Sequence, residues 1–126
     1  MTGARLRDLH SPDVFDLEHY ISEDEASFGF LLQAMIGPDY SEDAESFDFV
    51  VCTPRWLSDH LQTTGAEAIF GRHYLFLTHY TYPILWRTIQ QLCEHAQGDS
   101  WDAASIFLNR YGKWEFEDYI PATEGA

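Results

Sequence analysis

Residues 28–57, FGFLLQAMIGPDYSEDAESFDFVVCTPRWL, hold the patterns that decide the fold. Phe28 to Ile36 is apolar on both of its alternating faces, as a strand covered on both sides or by a partner would be. Gly37-Pro38 stops it, and Asp39 to Glu45 is a polar loop with four acids in seven residues. Phe47 to Val51 resumes the sheet, with Phe47, Phe49 and Val51 on one face and Asp48 on the other. Thr53-Pro54 then opens a helix: the Thr53 hydroxyl can accept from a free backbone N–H, and Pro54 stands where its missing N–H is not needed. With an N-terminal half that alternates like a sheet and a C-terminal half that is mostly helical, the chain is expected to be an α+β domain.

Working outward, residues 4–9 and 14–20 read as two short strands joined by the turn Ser11-Pro12-Asp13. Downstream of Thr53, the residues Trp56, Leu57, His60 and Leu61 share one helix face, and Gly65 closes the helix. His73 to Tyr80 has the strongest β propensity in the chain. Pro83 opens a second helix with the stripe Leu85, Ile89, Leu92, Cys93 and Ala96, closed by Gly98. Asp99 or Ser100 caps a third, with Trp101, Ala104, Leu108 and Tyr111 inward and Gly112 at its end. Lys113 to Tyr119 alternates Trp114 and Phe116 against Glu115 and Glu117, as a final strand. The expected architecture is a largely antiparallel sheet with about three helices packed on it, one domain over residues 1–126.

The 126 residues suffice for a core without a metal or disulfide staple. Apolar residues at 45% and aromatics at 16% exclude a disordered acidic tail. Twenty-one acids against seven Lys and Arg leave a net charge of −14, and the imbalance is uneven. Twelve acids and no Lys or Arg lie between Arg7 and Arg55. Such a field repels phosphate backbones and anionic lipid, which argues against nucleic acid and membrane as partners. It attracts basic proteins at a rate that falls with salt, although a solubility device has the same composition. No apolar run follows Met1, and the chain is expected to remain in the cytoplasm.

Catalytic and metal-binding patterns are sparse. The six His form no H-E-x-x-H, and no Cys-x-x-Cys is present, so neither a metal nor another cofactor is expected. His73 and His79 would share a strand face but stand about 20 Å apart. No G-x-S-x-G elbow exists, and the glycines are too scattered to cradle a phosphate. The best enzymatic pair is Cys52, at a strand-to-helix junction that can lower a thiol pKa, with His60 two turns along the helix. A buried thiol and a core His are the commoner outcomes for such residues. The alternatives to a binding protein are thus a small enzyme using Cys52 and His60, or a non-catalytic regulatory subunit.

One ordered series of segments adds to this. Ser11-Pro12-Asp13 leads into Phe28-Gly29-Phe30 and Ala34-Met35-Ile36-Gly37-Pro38. Ser46-Phe47-Asp48-Phe49 and Val51-Cys52-Thr53-Pro54-Arg55-Trp56-Leu57 follow. Then come Phe70-Gly71-Arg72-His73-Tyr74, Trp101-Asp102 and Trp114-Glu115-Phe116-Glu117-Asp118-Tyr119. The series spans nearly the whole chain and resembles the immunity protein 8 family of bacterial polymorphic toxin systems. The resemblance implies a cytoplasmic α+β antidote, not an enzyme, that binds a delivered toxin domain and keeps it inactive. Many such toxins are nucleases, whose substrate faces must be basic. On that expectation Asp39, Glu42, Asp43 and Glu45 contact the toxin, with Glu23, Asp24 and Glu25 as a second patch. Tyr40 in the acidic loop, and Tyr119 beside Asp118, are the candidate aromatic anchors. A homodimer through an edge strand such as the C-terminal one stays open.

Overall fold

A computed structural model describes residues 1–118, and these form one α+β domain. Its elements are β1 (Ala4–His10), a 3-10 turn (Leu17–His19), β2 (Gly29–Pro38), β3 (Glu45–Cys52), α1 (Pro54–Thr64), β4 (Tyr74–Phe76), α2 (Tyr82–His95), α3 (Trp101–Leu108) and β5 (Lys113–Trp114). The sheet runs β1-β2-β3-β4, antiparallel except for the parallel β3–β4 pair reached through α1. β4 pairs Val50–Cys52 while β5 pairs Phe47–Asp48, so two short strands divide one edge of β3.

Alternation assigns the two faces. Phe30, Leu32, Ala34 and Ile36 on β2 and Phe47, Phe49 and Val51 on β3 are buried on one face. Leu6 and Leu9 of β1 continue it. Leu85, Ile89, Cys93 and Ala96 from the α2 end of the chain and Leu108 of α3 close over that face to complete the core. α1 takes the opposite face. A Cβ on Gly29, which alternates with Phe28 and Phe30, would lie 2.4 Å from the Trp56 ring, so only glycine lets the indole down onto β2 there. The rest of that face (Leu31, Gln33, Met35, Asp48 and Val50) is half-buried. The doubly apolar run of β2 therefore faces a full core on one side and a partial cover on the other.

Four elements differ from their expected form, each for a local reason. Residues 14–20 contain no strand: Val14 and Leu17 are buried at a spacing of three, and Asp16 caps a 3-10 turn through Glu18 N. The strand expected over His73 to Tyr80 shrinks to Tyr74–Phe76, because β5 holds the rest of the β3 edge and His73 turns into the chain with φ 69°. The last strand is Lys113–Trp114, extended by Glu115 N donating to Ser46 O, before the chain turns; Tyr119 lies outside the described residues. α3 ends at Leu108, which places Tyr111 in the following turn and exposes it, contrary to its expected inward position. The cap of α3 resolves to Ser100, whose hydroxyl accepts from Ala103 N. α2 ends at His95, and Gly98 instead bridges to Thr2.

Candidate functional site

The two acidic patches sit at opposite ends of β2. Glu23, Asp24 and Glu25 precede its first residue, Gly29, and Asp39, Glu42 and Asp43 follow its last, Pro38. Ten residues at about 3.3 Å each separate them by roughly 30 Å. An ordinary interface of about 800 Å² per partner is roughly that wide, so one partner reaches both only by lying along the whole strand.

The turn end is built by short-range bonds. A register shift between Leu6 and Asp8 puts a bulge in β1 at Arg7. The Arg7 guanidinium donates to Pro38 O at 3.2 Å and, more closely, to Ser41 O. Asp39 N donates to Gly3 O and Asp43 N to the Ser41 hydroxyl, both at 3.0 Å. The chain folds back so tightly that a Cβ on Gly37 would meet Asp43 O at 1.6 Å. On this scaffold Asp39, Glu42 and Asp43 are exposed, and Tyr40 projects with 72% of its surface free. Glu45 is turned inward: its Oε1 accepts from the indoles of Trp101 at 2.8 Å and Trp114 at 2.9 Å. That carboxylate joins α3 and β5 to β3, leaving three exposed acids at the turn.

The other end is aromatic. Tyr20, Phe28, Phe30 and Tyr80 form a four-ring box with centroids 5.1–6.4 Å apart. The Tyr80 hydroxyl donates to Leu17 O at 2.5 Å, and burial pushes its pKa up to about 12. Three adjoining cavities share Tyr20 in their walls, one of about 290 Å³ lined by Tyr20, Phe28, Tyr80 and Glu25. Glu23, Asp24 and Trp56 line the next. Asp24 also shapes its loop, since Oδ1 accepts from Ala26 N at 2.9 Å and its carbonyl from the Ser22 hydroxyl at 2.7 Å. Glu25 is exposed and makes no bond of its own among the described residues. Composition marks the acids here but not the cavity, whose trace in the sequence is Tyr20-Ile21 one residue before the acidic run and Phe28 three residues past Glu25.

Cys52 and His60 do not form a reactive pair. The Cys52 thiol is fully buried, and desolvation pushes it up to about 11, the reverse of activation. Cys93 is likewise buried and pushed up to about 12. His60, expected inward, is exposed and stacks on Trp56 with centroids 4.7 Å apart. The helix terminus fails to activate Cys52 because full burial of the thiol disfavours the thiolate. His73 and His79 flank β4 instead of sharing it. Among the described residues no group of three or more His, Cys, Asp or Glu is placed to hold a metal ion, and no helix is long and apolar enough to cross a membrane.

No curated protein and no solved structure matches this chain. The model of the immunity protein 8 family matches residues 4–119, a span that takes in every strand and helix described above and both acidic patches. The chain belongs to the immunity protein 8 family.

Proposed function

We propose that this protein is a cytoplasmic, non-catalytic antidote that neutralises its cognate toxin by occluding a basic face of it. Family membership over residues 4–119 carries the reading that a toxin is the partner. Charge supports the mode of binding. Asp39, Glu42 and Asp43 at the turn, with Glu23, Asp24 and Glu25 at the groove, are exposed acids in a stretch without Lys or Arg. A nuclease must present cations where phosphates lie, and carboxylates delivered to those positions compete for them directly. Tyr40 at the turn supplies an aromatic contact beside the charges. Glu45 supports the turn from behind through its two indole bonds. Among the described residues the C-terminal strand offers a homodimer only Lys113–Trp114 as a paired element, which favours the monomer as the binding unit.

Co-expression with the C-terminal domain of the protein encoded by the adjacent open reading frame tests the reading. Growth should be rescued by the wild-type chain, and the purified pair should form a salt-sensitive complex. No rescue and no complex would overturn it.

A further inference from the structure

We infer that the cavity walled by Tyr20, Phe28 and Tyr80 and rimmed by Glu25 receives an arginine side chain of the toxin; this deepens the reading above and rests on it. The shape is that of an aromatic socket. Phe28 forms a buried floor, backed by Phe30, while Tyr20 and Tyr80 stand edge-on to each other at 5.1 Å and stay half-buried. The cavity is rigid, because Tyr80 is tied to Leu17 O and all four rings brace one another.

Charge selects the occupant. None of the residues lining the three adjoining cavities is Lys or Arg, whereas Glu18, Glu23, Asp24 and Glu25 are among them. A purely apolar side chain would fill the floor but leave the carboxylate rim desolvated and unpaired. A phosphate or carboxylate would be repelled. A guanidinium satisfies both parts, since its plane stacks on aromatic faces and its fork donates to a carboxylate. Glu25 is the carboxylate placed to accept it, because it is the acid in the wall of that cavity and its side chain makes no other bond among the described residues. Exposed Ile21, at the mouth of the same cavity, offers apolar contact to the methylene stem of the arginine.

The test has two arms. In the first, the peptides acetyl-Gly-Arg-Gly-amide and acetyl-Gly-Leu-Gly-amide are titrated into the isotopically labelled full chain and followed by NMR. The arginine peptide should give saturable shifts at Tyr20, Glu25 and Tyr80 with a dissociation constant on the order of millimolar. Glu25→Gln should weaken it severalfold, and the leucine peptide should give no such shifts. Equal response to both peptides, or shifts spread evenly over all the acidic surface, overturns the socket. In the second arm, Glu25→Gln should weaken the complex with the cognate toxin domain about tenfold. Glu67→Gln, an exposed acid elsewhere, should leave it unchanged. Arginine-specific shifts in a protein that fails to bind the toxin would remove the antidote reading and keep the socket. Normal toxin binding by Glu25→Gln without peptide shifts would do the opposite.

Discussion

Replacing Glu45 by Ala would strand two indole N–H groups, those of Trp101 and Trp114, which now share one carboxylate oxygen. Each half-buried donor left without a partner costs about 1–3 kcal/mol, so Glu45→Ala should destabilise by roughly 2–4 kcal/mol. Glu45→Gln keeps an acceptor in place and should cost less than half as much. Thermal melts of the two variants decide the matter, and an alanine variant as stable as wild type would refute the role. Glu117 tests residue-scale electrostatics. Burial pushes its carboxyl up, but the hydrogen bonds from Arg72 and Asn109 and the charge of Arg72 outweigh that and hold it below its ordinary 4.5. A depressed carboxylate contributes stability above its unfolded pKa and loses it as pH falls through the folded one. Glu117→Gln should therefore melt below wild type near neutral pH, with the gap closing below 4.5. A gap that persists at about pH 2 would show that packing, not ionisation, sets it.

Among the α-helices, α1 is the weakest. It contains no buried residue, whereas α2 buries Leu85, Ile89 and Cys93. α1 is fastened at its start, where the Thr53 hydroxyl accepts from Trp56 N at 3.2 Å and from Phe28 N at 3.3 Å, and where Trp56 lies on Gly29. Amides of α1 should exchange with solvent far faster than those of α2. Thr53→Ala, which frees two donors, should cost about 1–2 kcal/mol and speed exchange in α1 first. Equal protection of the two helices would contradict this. The same contrast shows what the sequence discloses. Thr53-Pro54 and the α2 stripe are legible, and the α3 cap narrows to Asp99 or Ser100, because caps and apolar spacing are local signals. The β4–β5 division was not, because strand length there depends on which segment reaches the β3 edge first. The inward His60 failed for a related reason: an amphipathic face states which side is apolar, not how much sheet lies beneath it. At the candidate site the acids were plain in composition. The socket was hidden, since Tyr20, Phe28 and Tyr80 come together only after β2 and the segment before α2 are in place.

At the scale of the whole molecule, the separation of the two acidic patches along β2 divides their work. The turn acids Asp39, Glu42 and Asp43 project, exposed, from one end, so they act mainly through the field they extend into solvent. Fields of that kind raise the association rate and are screened over a Debye length of about 8 Å at physiological salt. The groove acids sit beside an aromatic pocket, where a bound cation is desolvated and its loss appears in the dissociation rate. The triple variant Asp39→Asn, Glu42→Gln, Asp43→Asn should therefore slow association with the toxin roughly threefold to tenfold and flatten its salt dependence. Dissociation should change little. Glu25→Gln should leave association nearly intact and speed dissociation. Stopped-flow or surface-binding kinetics between about 50 and 500 mM salt resolve the two parameters. Should both variants alter only dissociation, the turn lies inside the contact, and the toxin must run the full length of β2. Should neither alter either rate, the acidic field serves solubility, and the partner docks elsewhere on the sheet.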